Sequence, residues 1–197
     1  MISYYHNPKE LVYVIGHSVQ ADEIALMLES CCKGNVKVIH HNDILSIPPN
    51  TQCVMGFSNI GFRKKLLAQD FVRSWIWPTF VHDDALVEKT ASLGKGCLVY
   101  PKTTILHKVR LGDFGLVFPH SHISHGCQIG KNVVLCPHTI IGGSTNIGDN
   151  VFFGQASSIK DKITIFDDTN FFMNSIVSKN IVESGAYYGS KRAYTEF

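Results

Sequence analysis

Nowhere in the 197-residue chain is there an apolar run approaching the roughly 20 residues that cross a bilayer, so no membrane span is expected. Its first residues, Met1–Asn7 (MISYYHN), lack the basic start and apolar stretch of a secretory signal, and a cytoplasmic protein is expected. Charge is sparse and balanced, with 17% charged residues and a formal net charge of +2. No basic run exceeds Arg63-Lys64-Lys65, which argues against a nucleic-acid surface. Six cysteines occur without a CxxC pair and with only Cys31-Cys32 adjacent, a pattern of reduced thiols rather than of a disulfide or zinc framework. A glycine-rich phosphate loop is missing too. The first turn reads Gly16-His17-Ser18-Val19-Gln20-Ala21, and its single glycine fails the dinucleotide fingerprint.

What the chain does have is a period of six. From Leu93 onward, every sixth residue is apolar: Val99, Ile105, Leu111, Val117, Ile123, Ile129, Leu135, Ile141, Ile147, Phe153, Ile159, Ile165, Phe171 and Val177. With under half of all residues hydrophobic, chance produces such a run roughly once in 10⁵. Small or branched residues recur two places earlier, at Ala91, Cys97, Thr103, Ser121, Cys127, Thr139, Thr145 and Ser157, giving two inward positions per hexad. A larger period of three hexads is marked by Leu93-Gly94, Leu111-Gly112, Ile129-Gly130 and Ile147-Gly148, where glycine is expected to relieve a tight corner. Three short strands and three corners per coil make a triangular prism, the hexapeptide-repeat, left-handed form of the parallel β-helix.

The first half follows another pattern. Leu11–Gly16 and Val36–His40 are predicted strands, and Ala21–Ser30 between them a helix with an apolar stripe at Ile24, Leu26, Met27 and Leu28. Cys53–Gly56 is a third strand, followed by a helix through Arg63-Lys64-Lys65-Leu66-Leu67. This order predicts a small α/β, Rossmann-like, nucleotide-binding domain over residues 1–78, the β-helix over 79–185 and a tail over 186–197.

These features together resemble a family of hexapeptide-repeat sugar acyltransferases, the sialic acid O-acetyltransferase and bacillosamine-pathway N-acetyltransferase group. The resemblance covers nearly the whole chain. It is carried by the strand–Gly start, by Gly56 through Asn59 followed by Arg63-Lys64-Lys65, by Val81-His82 before Ala85, by Pro101, and by His125-Gly126-Cys127-Gln128-Ile129-Gly130. It implies a homotrimer binding acetyl-CoA as co-substrate in a groove between adjacent prisms, and a sugar or nucleotide sugar against the N-terminal domain. By that resemblance His125 is the general base and the nucleotide sugar lies against Gly16, His17, Ser18, Phe57, Ser58 and Asn59, while Gly142, Gly143 and Lys191 are further candidates for holding the acyl-CoA and His120 for meeting the sugar. Several family positions differ: Gly126 replaces an acidic residue, Phe118 an asparagine, Val134 a second histidine, and Phe172-Met173-Asn174 a glycine cluster.

The chemistry has its own logic. An amine or hydroxyl attacking a thioester must lose a proton, and a neutral imidazole accepts one near pH 7. The oxyanion that forms needs a donor, for which the backbone N–H of Gly142 or Gly143, one coil beyond His125, is expected to serve. Two rivals stand beside this reading. His107, His120 and His125 imitate the three zinc ligands of γ-class carbonic anhydrases. The unbroken six-residue step from Ile123 to Ile129 moves His125 one place around the coil relative to that family, so the protein is expected to need no metal. A catalytically silent prism kept as a scaffold is the other.

Overall fold

The computed structural model describes residues 10–32 and 35–193; Met1–Asn7 lies outside them, as do the side chains of Cys31 and Cys32. Strands β1 (Val12–Ile15), β2 (Val36–Ile39) and β3 (Gln52–Met55) form a parallel sheet with β1 in the middle. Ile15 lies opposite both Ile39 and Met55, so the three carboxyl ends are level. Helix α1 (Val19–Cys32) buries Ala21, Ile24, Ala25 and Leu28, a stripe at i, i+3, i+4 and i+7, while Leu26 is 67% exposed. Leu26 therefore leaves the expected stripe and Ala25 joins it. Helix α2 spans Ile60–Leu67. A Cβ on Gly16 would lie 2.8 Å from that of Ala21, and one on Gly56 2.9 Å from it, so both strand ends press on the first turn of α1. The expected strand and helix order is present. Three strands, however, fall short of the doubly wound Rossmann sheet.

The remainder is a parallel β-solenoid of about six turns. Face one stacks Phe80–Val81, Leu98–Val99, Leu116–Val117, Val134–Leu135, Phe152–Phe153 and Thr169–Phe171. Face two stacks strands centred on Val87, Ile105, Ile123, Ile141, Ile159 and Val177, and face three those on Leu93, Leu111, Ile129, Ile147 and Ile165. Partners are 18 residues apart throughout, as in Ile105–Ile123–Ile141. Every hexad residue from Val99 to Val177 is at most 5% exposed. The smaller inward residues are small for a reason beyond volume. Their hydroxyls and thiols donate to carbonyls 15 residues on: Thr103 to Phe118, Ser121 to Cys136, Cys127 to Gly142 and Thr145 to Lys160. A polar group buried in the prism is thereby satisfied.

The corners correct one expectation. Positive φ falls three residues after each inward apolar residue, at every sixth position from Gly96 through Lys102, Lys108, Phe114, His120, Gly126, Asn132 and His138 to Asn174, and of these fourteen residues only Gly96 and Gly126 are glycine. Gly94, Gly112, Gly130 and Gly148 have ordinary φ and serve close stacking instead: a Cβ on Gly112 would sit 2.6 Å from the carbonyl oxygen of Gly130.

The outer surface of face one is covered by the N-terminal sheet and α1. Phe80, Leu98, Tyr100, Leu116 and Val134 pack with Val12, Val14, Ile24, Leu28 and Val54, joined by Phe118 and Phe152. Phe118 and Val134, two of the family departures, are thus packing residues here. Arg63 of α2 adds a polar tie. It is 1% exposed, and its guanidinium donates to Asn132 Oδ1 at 2.8 Å, to the Phe57 carbonyl at 3.1 Å and to the Phe114 carbonyl at 2.5 Å. Burial pushes its pKa down to about 10. Beside it, Lys64 pairs with Asp168 at 2.5 Å on the surface.

At the far end, Gly185–Tyr188 continues face one in parallel, and Lys191–Arg192 pairs with it in the antiparallel sense. Ile181 bridges to Ile165 on face three, Asn180 Oδ1 accepts from the Thr164 N–H, and Ser190 Oγ accepts from the Ser178 N–H.

Candidate active site

His125 sits two residues after the inward Ile123, on the corner between faces two and three, with its side chain exposed. Its ring lies beneath Gly143 of the next coil: a Cβ there would be 2.8 Å from His125 Nε2 and 2.9 Å from Cε1. A side chain at 143 would displace the imidazole from this position, so the ring's place depends on the glycine above it. The second position after each inward residue makes no ladder N–H bond, which is why Pro101, Pro119 and Pro137 occupy it without loss. Elsewhere at this position a carboxylate accepts the spare N–H, as Asp149 does from Lys131 and Asp167 from Asp149. Gly143 has no such acceptor among the described residues, and its N–H is left for another partner. Gly142 differs. Its N–H donates to the Ile159 carbonyl at 2.9 Å, so of the two expected oxyanion donors only Gly143 is open.

No hydrogen bond holds the His125 ring among the described residues. Gly126, with φ of +71°, provides no side chain to orient it. His107, one coil earlier in the same column, is held by Thr90 Oγ1 at 2.9 Å. His120 lies on a different corner, stacked on His138 with ring centroids 4.9 Å apart and planes 4° from parallel. His122 projects outward from face two and meets Ser124 Oγ at 3.0 Å. The three histidines of the carbonic anhydrase pattern are therefore not gathered, and the one group of metal-ligating side chains among the described residues is elsewhere. Lys191 stands exposed in the terminal strand Lys191–Arg192, which pairs beyond face one rather than at the corner that carries His125. Phe172 and Met173 line a cavity of about 580 Å³ with Cys136, Pro137 and Gln155.

The N-terminal candidates meet at the carboxyl ends of β1 and β3. Gly16, His17, Ser18 and Phe57 line a cavity of about 540 Å³, closed by Leu45, Phe62, Lys65 and Phe71. Two others are committed to structure. Ser58 donates through both its N–H and its hydroxyl to Gln20 Oε1, tying β3 to α1, and Asn59 Oδ1 caps α2 by accepting from the Phe62 N–H at 3.0 Å. Of the basic run, Arg63 is structural and Lys64 is paired, which leaves Lys65 as the cation at the cavity.

His40 and His41 were not anticipated. They directly follow β2, and the level strand ends bring them to His17, with ring centroids 4.3–4.5 Å apart. Desolvation first, then the neighbouring His40 and His17, hold His41 below the ordinary imidazole pKa of 6.5, against the pull of Asp43. The signal was in the sequence: one predicted strand ends at His40 with His41 next, the other is followed directly by His17, and parallel pairing makes those ends neighbours.

Architecturally the chain is a hexapeptide-type β-solenoid carrying an N-terminal α/β layer. No family model and no curated protein matches the sequence. Solved structures do match its fold, which is that of the left-handed β-helix. The acetyltransferase domain of PglB from Neisseria gonorrhoeae superposes with a TM-score of 0.85 at 16% identity, over 94% of this chain and 99% of that one. A histidine mutant of perosamine N-acetyltransferase from Caulobacter crescentus, in complex with CoA and GDP-perosamine, gives 0.82 at 18% identity, over 99% and 100%. WeeI from Acinetobacter baumannii gives 0.81 at 17% identity, over 94% and 99%. The likeness spans both parts of the chain.

Proposed function

We propose that the protein is an acyl-CoA-dependent acyltransferase, with acetyl-CoA as donor, acting on an amino or hydroxyl group of a sugar or nucleotide-activated sugar. The observation that carries this reading is the pairing of an exposed imidazole, His125, with the unpartnered corner N–H of Gly143 one coil above. The whole-chain likeness to folds whose structures hold acetyl-CoA, or CoA with GDP-perosamine, supports it. In this scheme the acceptor's lone pair attacks the thioester carbonyl carbon while His125 takes its proton. Gly143 N–H stabilises the oxyanion, the C–S bond breaks, and the imidazolium returns the proton to the leaving thiolate.

Residues 1–78 form the sugar-nucleotide part in this reading, 79–185 the acyl-transfer part and 186–197 a tail. The protein works as a homotrimer, with acyl-CoA in the groove between prisms. Leu86, Ile140 and Ile176 support the trimer: they are 52%, 48% and 73% exposed in the outward column of face two, interleaved there with Thr104, His122 and Ser158. Cyclic symmetry covers such a surface.

The test is release of CoA thiol from acetyl-CoA in the presence of nucleotide amino sugars. His125→Asn should lower turnover by about 10²–10⁴ while acetyl-CoA still raises the melting temperature. Full activity in His125→Asn would remove the base. No turnover and no thermal shift with any acyl-CoA would leave the silent scaffold.

A further inference from the structure

We propose that His17, His40 and His41 form a binding site for a borderline divalent transition-metal ion, with zinc as the reference ion. The proposal goes beyond acyl transfer and stands without it. Its basis is placement. The Gly16 N–H donates to the Ile39 carbonyl at 2.9 Å, locking the two strand ends together one residue before the histidines. Three imidazoles thus leave adjacent parallel strands at the same level, on a backbone fixed by the central sheet.

The distances suit a metal. One ligand nitrogen from each residue lies within 4.8 Å of the other two, and His41 Nδ1 is already 2.9 Å from His17 Nδ1. A tetrahedral ion with bonds of about 2.0 Å holds its nitrogens about 3.3 Å apart. Rotation of the exposed His17 and His41 rings spans that difference without moving the sheet. In the metal-free protein the Nδ1 atoms of His17 and His41 hydrogen-bond to each other, and a metal ion takes that central position. His40 Nδ1 accepts from the Asn42 N–H at 3.1 Å, and ligation exchanges this cap for a metal bond.

Chemistry narrows the ion. Three imidazoles without a carboxylate among the ligands favour zinc, copper, nickel or cobalt over magnesium and calcium, which take oxygen ligands. Three protein ligands also leave one position open, as in catalytic rather than closed structural zinc sites. His17 and His41 line the 540 Å³ cavity, so that position faces the space where Ser18 and Lys65 also stand.

The experiment is titration of the purified, tag-free full chain, stripped with chelator, with zinc by calorimetry and with Co²⁺ by visible absorption. One equivalent should bind with micromolar or tighter affinity, and Co²⁺ should give the intense visible bands of a four- or five-coordinate site. His17→Ala and His41→Ala, both exposed positions, should weaken binding at least tenfold with unchanged melting temperature of the metal-free protein. His125→Asn should leave it unaltered. Binding weaker than about 100 μM, or binding abolished by His125→Asn and retained in His17→Ala, would overturn the assignment.

Discussion

Arg63→Ala tests how the N-terminal layer is held to the prism. The substitution strands three acceptors: Asn132 Oδ1, on a residue 1% exposed, and the carbonyls of Phe57 and Phe114. At about 2 kcal/mol for each acceptor left without a donor, the loss is about 6 kcal/mol. Removing the cation also relieves its desolvation. The desolvation that lowers its pKa to about 10 corresponds to about 3 kcal/mol. The acceptors win, and the net destabilisation is about 3 kcal/mol. For a chain of this size that lowers the melting temperature by about 6–12 °C, readable by calorimetry. Arg73→Ala is the control, because its pair with Asp70 spans 3.4 Å between side chains 81% and 91% exposed and should matter by under about 0.5 kcal/mol. A cycle with Asn132→Ala should show coupling of about 1–3 kcal/mol. An Arg63→Ala protein melting with the parent, or a cycle without coupling, would refute the reasoning.

Ile141→Asp places an unpaired charge at a position with 0% exposure and should abolish the cooperative melt, whereas His138→Ala loses only a surface ring stack; parental melting of the Asp variant would mean the hexad register is wrong. Burial pushes the Cys53 and Cys97 thiols up to about 12, so at pH 8 only about one in 10⁴ is thiolate. Alkylation at pH 8 followed by peptide mapping should find both unmodified in the native protein and both modified after unfolding, and rapid native labelling of either would contradict their place in the core.

The solenoid was legible because its inward residues recur at a fixed spacing that local sequence shows directly, and Ile105, Ile123 and Ile141 stack as that spacing requires. The corner glycines were misread for the opposite reason. Whether Gly112 needs positive φ or closeness to Gly130 is decided by the neighbouring coil, and the positive φ went to residues such as Lys108 and Asn132. Gly142 and Gly143 look alike in sequence, yet the ladder consumes one N–H and spares the other. Ser58 and Asn59 stand where a ligand is expected, and the structural bonds that the Ser58 N–H and hydroxyl make to Gln20 and that Asn59 Oδ1 makes to the first turn of α2 are tertiary details that sequence does not show. The histidine cluster is a tertiary event, since His17 and His40 are 23 positions apart and only the parallel register of β1 and β2 closes that gap.

A parallel solenoid has no built-in last coil, because each finished turn offers the next one a row of unpaired backbone groups. Here the terminal residues act as a stopper. Lys191–Arg192 runs against the grain of face one, and an incoming coil cannot copy its direction. On the other faces Asn180 and Ser190 use side-chain oxygens to occupy N–H groups of Thr164 and Ser178 that another turn would otherwise take. Length control is thereby written into about a dozen residues, and a chain cut before Ile181 would present an open template for fibre-like, end-to-end growth.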